Sequence, residues 1–175
     1  MGSGKTTVGR ALAAALSWPY MDNDERLQST TGHSLASMAR GDVDELHAIE
    51  WNIVQTLAGT DGPWVASAAA SVALHQDAAS MLREAGILVV WLRASVQTLV
   101  SRIQQPAGRP LLAGDPYALL QGMMVERANA FSRIADVIVD VDARSTDDIV
   151  REIVTVMKGP PPGGGGGPGR EGEDV

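Results

Sequence analysis

The six residues Gly2-Ser3-Gly4-Lys5-Thr6-Thr7, followed at once by an alanine- and leucine-rich stretch, restrict this chain more than any other feature. Glycines let a backbone curl so that consecutive N–H groups converge on one point. A helix that starts at the curl adds the partial positive charge of its N-terminus. Such a loop holds phosphate oxygens. In this pattern Lys5 reaches the β- and γ-phosphates and the Thr6 hydroxyl ligates Mg²⁺, with Gly2, Ser3, Gly4 and Thr7 completing the nucleotide cradle. A flexible glycine- and serine-rich terminus would account for the glycines, but not for a lysine and two threonines at the helix start.

The complete pattern has one more glycine, preceded by a strand, and both would fall upstream of Met1. In a fold of this type that strand lies in the middle of the sheet. Without it, two neighbouring strands would keep unpaired backbone groups in the core. The expectation is that the natural start lies upstream and that Met1 is an internal methionine of the loop.

A length of 175 residues suits one domain. With 14 Lys and Arg against 21 Asp and Glu, the formal charge is −7, which repels phosphate backbones. Nucleic acid is therefore not an expected partner, and a bound anion has to be held locally. The absence of cysteine excludes a disulfide framework, a thiolate zinc site and a cysteine nucleophile. No apolar run approaches the roughly 20 residues that span a bilayer, and the N-terminus lacks the layout of a signal peptide. The reading is a cytoplasmic protein that acts as a monomer, with no membrane partner.

Helical patterns at 6–16, 43–58, 76–85, 96–104, 116–131 and 146–157 alternate with short apolar runs at 18–21, 64–68, 87–92 and 137–141. That alternation predicts an α/β fold with a mainly parallel sheet between helical layers, of the P-loop NTPase-like kind, its first and central strand missing from this chain. Asp115 before Pro116 reads as a helix cap with proline at the first position, and Ser145 with Asp148 as a capping box. Residues 1–158 form the expected domain. Residues 159–175, rich in glycine and proline and then charged, form an expected disordered tail.

Asp22, Asn23 and Asp24 follow the first of these strands. Residues two apart on an extended segment point the same way, which would turn both carboxylates toward one cleft. There Asp22 would steady Mg²⁺ through its water shell, and Asp24 would take the proton of an acceptor hydroxyl. The alternative is an ordinary turn at a strand end.

Taken in order, several pieces resemble the shikimate kinase family of small P-loop kinases, with gluconate kinases as near relatives. They are Gly-Ser-Gly-Lys-Thr-Thr-Val-Gly at 2–9, Asp22-Asn23-Asp24, Thr31-Gly32-His33-Ser34, Arg109-Pro110-Leu111-Leu112, Glu126-Arg127 and Ala135-Asp136 leading to Val139-Asp140. The resemblance covers nearly all of residues 1–158. It implies a five-stranded parallel sheet, ATP and Mg²⁺, and transfer of the γ-phosphate to a hydroxyl of a small carboxylic acid. By the same resemblance Arg109 is a lid arginine in a mobile stretch at 105–115, Arg127 grips the acceptor carboxylate, and Arg102 stacks on adenine. The alternatives are a surface arginine in a loop, a helix-surface salt bridge and a helix-end arginine, respectively.

Two departures bear on the acceptor. Where the family carries a second carboxylate-gripping arginine, this chain has His47, within Leu46-His47-Ala48-Ile49-Glu50. Where the family has three glycines after a strand, this chain has Ala68, Ala69 and Ala70. Each alanine would add a methyl group to the acceptor space and disfavour positive φ. These changes leave the ATP half intact and alter the acceptor half; on the overall resemblance, a kinase acting on shikimate is the expectation. The alternatives are a gluconate-type or other sugar acid as acceptor, or a nucleotide-binding relative that has lost catalysis. A nucleoside monophosphate kinase would need more arginines near the acceptor than the sequence offers.

Overall fold

The computed structural model describes residues 2–103 and 115–159. The elements in order are α1 (Lys5–Leu16), β1 (Tyr20–Asp22), α2 (Asn23–Thr31), α3 (Leu35–Met38), α4 (Val43–Ala58), β2 (Val65–Ser67), a 3-10 turn (Ala70–Leu74), α5 (Ala78–Glu84), β3 (Val90–Arg93), α6 (Val96–Ile103), α7 (Pro116–Ile134), β4 (Val137–Asp140) and α8 (Thr146–Lys158). Locally encoded boundaries fall where the sequence puts them. The Asp115 carboxylate accepts from the N–H groups of Tyr117 and Ala118, with Pro116 at the first helical position. Ser145 Oγ accepts from the Asp148 N–H and donates to the Asp148 carboxylate at 2.6 Å.

The strands are shorter than the apolar runs that announce them, because the adjoining residues close the preceding helices. Ser17 adopts a left-handed conformation at φ 56°, and the Trp18 N–H returns to the Ala13 carbonyl at 2.9 Å. Pro19 has no N–H to give, so β1 starts at Tyr20 rather than at 18. In the same way the Ile87 N–H closes α5 on the Leu82 carbonyl, and β3 begins only at Val90. Helix α2 lies outside the helical patterns of the sequence. Its nine residues carry a single buried leucine, Leu27, which is fully enclosed.

Both strand pairings are parallel, as alternating strands and helices require. β1 pairs with β2 in the register Tyr20 with Val65 to Asp22 with Ser67, and β3 pairs with β4 from Val90 with Val137 to Arg93 with Asp140. The described strands form two separate two-stranded sheets rather than one continuous sheet. Three apolar clusters bind them to the helices. The largest joins Val8 and Leu12 of α1 to Leu99, Leu120, Val139, Val141 and Ile153, with Val65 of β2 packed on its edge. A second encloses Leu27, Leu46, Ile53 and Leu57, and a third joins Val54, Val72 and Leu82. No helix among the described residues is long and apolar enough to cross a membrane.

Candidate active site

The N-terminal loop curls as its glycines permit. Gly2 and Gly4 have φ of 79° and 92°, a region that residues with a Cβ rarely enter. Gly4 caps α1, and its carbonyl accepts from the Val8 N–H at 2.9 Å. Lys5, Thr6 and Thr7 form the first turn, where the free N–H groups and the helix dipole meet. The loop is braced from behind by Arg102, whose guanidinium donates to the Gly2 carbonyl at 3.1 Å and to the Val141 carbonyl at 3.4 Å. Arg102 thus lies beside the cradle, on its backbone.

From the start of α1, Thr6 Oγ1 donates to Asp22 Oδ2 at 3.2 Å, and the same oxygen accepts from the Tyr20 hydroxyl at 2.9 Å. The other oxygen, Oδ1, accepts from the Asp24 N–H at 2.9 Å and caps α2. Burial would raise the pKa of this 6% exposed carboxyl, but the hydrogen bonds from Tyr20, Asp24, Thr6 and Glu25 hold it below the ordinary value. It is therefore a carboxylate at neutral pH. A hydroxyl and a carboxylate side by side at a helix N-terminus supply the hard oxygens that Mg²⁺ takes when a nucleotide provides most of its shell. No cluster of three or more His, Asp or Glu among the described residues could hold a metal without such help. The site thus fits a metal delivered with a nucleotide.

The expectation that Asp22 and Asp24 alternate along one extended segment is corrected. The strand ends at Asp22 and the helix begins at Asn23, so Asp24 leaves the cap on the first turn of α2, exposed to solvent. The helix wins because the Asp22 carboxylate satisfies one of its free N–H groups.

The other side of the cleft gathers around Glu50 of α4, a carboxyl only 5% exposed that accepts a hydrogen bond from the buried Ser71 hydroxyl of the 3-10 turn. Burial pushes Glu50 above the ordinary carboxylate range, against the pull of Ser71. His47, Asp24 and Arg127 lie close enough for their charges to act on it, His47 and Arg127 lowering its pKa and Asp24 raising it. Charges of three sequence-predicted acceptor residues, from α4, α2 and α7, thus act on one buried acid. Next to them, His47, Trp51, Ser71 and His75 line a cavity of about 380 Å³, and the Trp51 and His75 rings stack with centroids 3.9 Å apart.

The alanines avoid positive φ, as expected: none of Ala68, Ala69 and Ala70 has one, so their methyl groups impose no backbone strain. Ala68 and Ala69 are partly buried and pack against the cluster of Val54, Val72 and Leu82. Arg109, the 105–115 lid apart from Asp115, and the tail from residue 160 lie outside the described residues. Glu50, Ser71 and Tyr20 were not among the predicted site residues. Glu50 carried one sequence signal, a charged position on the apolar face of a helix. Asn23 is also buried, and its side-chain amide has no hydrogen-bond partner among the described residues.

The family model described as shikimate kinase matches residues 1–158. A shikimate kinase of Thioalkalivibrio sulfidiphilus is 35% identical over 155 residues, covering 87% of this chain and 80% of the relative. One of Symbiobacterium thermophilum is 34% identical over 158 residues, covering 88% and 90%. Among solved structures, the shikimate kinase from Acinetobacter baumannii in complex with shikimate shares the fold, with a TM-score of 0.80 at 22% identity over 90% of this chain and 88% of that one. A gluconokinase from Sinorhizobium meliloti 1021 aligns with a TM-score of 0.56 at 26% identity over 89% and 85%.

Proposed function

The chain belongs to the shikimate kinase family, and from its own residues we infer an ATP-dependent kinase that phosphorylates a hydroxyl of shikimate. The observation that carries the reading is the Thr6 hydroxyl 3.2 Å from the Asp22 carboxylate at the mouth of the Gly2–Lys5 loop. It joins a phosphate cradle to a metal-competent pair of oxygens. Mg²⁺ held there would supply charge neutralisation for the transferring phosphoryl group. Thr6 is the residue that would ligate it, and Asp22 would orient its water shell.

Lys5 and the loop N–H groups hold the phosphates in line with the acceptor. Asp24, at the open end of α2, takes the proton as the acceptor oxygen bonds to the γ-phosphorus and the bond to the ADP oxygen breaks. Arg127 and His47 face the acceptor carboxylate, with Glu50 fixing the local charge between them. Arg102 borders the adenine side and Arg109 closes over the phosphates. The enzyme works as a cytoplasmic monomer on small molecules.

A sugar acid of the gluconate type is the second reading, favoured by His47 in place of a second arginine and by the likeness to a gluconokinase. ADP release with shikimate and with gluconate, each with ATP and Mg²⁺, separates the two. Turnover with shikimate is expected. Turnover with gluconate alone moves the assignment, and turnover with neither, despite nucleotide binding, leaves a binding module.

A further inference from the structure

Gly9 lies one turn into α1 on the side facing β1, and a Cβ there would come within 2.6 Å of Tyr20 Cε2 and 3.4 Å of the Tyr20 hydroxyl. The missing side chain lets the Tyr20 ring lie against the helix. Tyr20 and Asp22, two apart on β1, project from the same face of the strand. The ring therefore carries its hydroxyl to 2.9 Å from Asp22 Oδ2. The Arg10 guanidinium stands 5.7 Å from the ring centroid and pairs with Glu25 of α2 at 2.6 Å. Helix, strand and cation hold the phenol in one place.

From this arrangement we propose that Tyr20 is a positioning residue for the metal-nucleotide site, fixing the orientation of the Asp22 carboxylate through its hydroxyl. Asp22 Oδ1 is committed to capping α2, and Oδ2 accepts from the side-chain hydroxyls of Thr6 and Tyr20. Thr6 is the donor that a divalent cation would claim. Once its oxygen is engaged elsewhere, the phenol still donates to Oδ2 and keeps it facing the loop. A carboxylate free to rotate about χ2 would lose that alignment and weaken the helix cap with it. The proposal rests on the kinase reading of the loop and adds to it a residue on the far side of the carboxylate.

The test is Tyr20→Phe in the full chain, which keeps the ring, its seat on Gly9 and its cation contact, and removes only the hydroxyl. ADP affinity is measured by calorimetry with Mg²⁺ and with EDTA. The wild type is expected to bind ADP more tightly with the metal, and the variant to lose about tenfold of that gain, the scale of one hydrogen bond to a charged group. Its EDTA affinity and acceptor KM are expected to match the wild type. An unchanged metal-dependent gain in the variant overturns the proposal alone. A wild type without affinity for ADP in either buffer overturns the loop reading, and the proposal with it. Gly9→Ala, which displaces the ring and leaves the hydroxyl in the chain, is expected to reproduce the loss, and its failure to do so also overturns the proposal. That second variant decides the matter should Tyr20→Phe not fold.

Discussion

Ser71 donates its hydroxyl hydrogen to the Glu50 carboxylate across 21 positions of sequence, and the pair is enclosed between α4 and the 3-10 turn. Each group answers the other's burial: a lone carboxylate there would be costly to desolvate, and a lone hydroxyl would lack an acceptor.

The Glu50 pKa lies above its ordinary 4.5 because of burial. An acid whose pKa is higher folded than unfolded binds the proton more tightly in the fold, so its contribution to stability is greatest below 4.5 and declines as pH rises through the folded value. In Glu50→Gln that decline is absent. The difference in melting temperature, variant minus wild type, is expected to grow more positive from pH 4.5 toward neutrality. A difference that stays flat or falls would contradict the shift.

Lys5→Met removes the cation at the cradle while leaving its glycines untouched. Loss of one preorganised donor at the transferring charge lowers turnover by about 10²–10³. The measurement is kcat at saturating ATP, with circular dichroism to verify the fold.

Arg127 is half-buried on α7, and its charge lowers the pKa of the acid of α4. Replacing it by alanine is expected to raise the acceptor KM roughly tenfold to 150-fold, the equivalent of about 1.5–3 kcal/mol for a charge-assisted hydrogen bond. The KM for ATP is expected to stay within twofold of the wild type, roughly the experimental margin on an energy below 0.5 kcal/mol. Parallel rises in both constants would place Arg127 outside the acceptor site.

His47→Arg introduces a permanent fork of donors where an imidazole stands. The acceptor KM for shikimate is expected to fall by about tenfold, the lower end of one charge-assisted bond. If it falls for gluconate and rises for shikimate, the sugar-acid reading gains the site.

Arg102→Ala takes two hydrogen bonds from the back of the loop. The expected result is a rise of about tenfold in the dissociation constant for ADP, on the scale of one charge-assisted bond. Arg102→Lys, a single point charge without the fork, is expected to recover only part of it.

What the sequence made legible was local. Asp115 before Pro116 and Ser145 before Asp148 cap their helices with atoms two or three residues away, so their geometry is written in adjacent letters. The loop was legible for the same reason. Helix α2 was not, because its stability comes from one leucine and a cap rather than from a repeating apolar face. The alternation expected of Asp22 and Asp24 failed through that same cap. The Glu50–Ser71 pair and the seat of Tyr20 on Gly9 depend on chain segments meeting in space, which no local pattern records.

The two strand pairs share no ladder among the described residues, yet α1 touches both, through Thr6 at Asp22 and through Val8 and Leu12 in the cluster that covers β3 and β4. Val65 of β2 reaches the edge of that same cluster, so the two pairs are tied by shared packing. A ligand that stiffens the start of α1 should therefore slow amide deuterium uptake in both pairs at once.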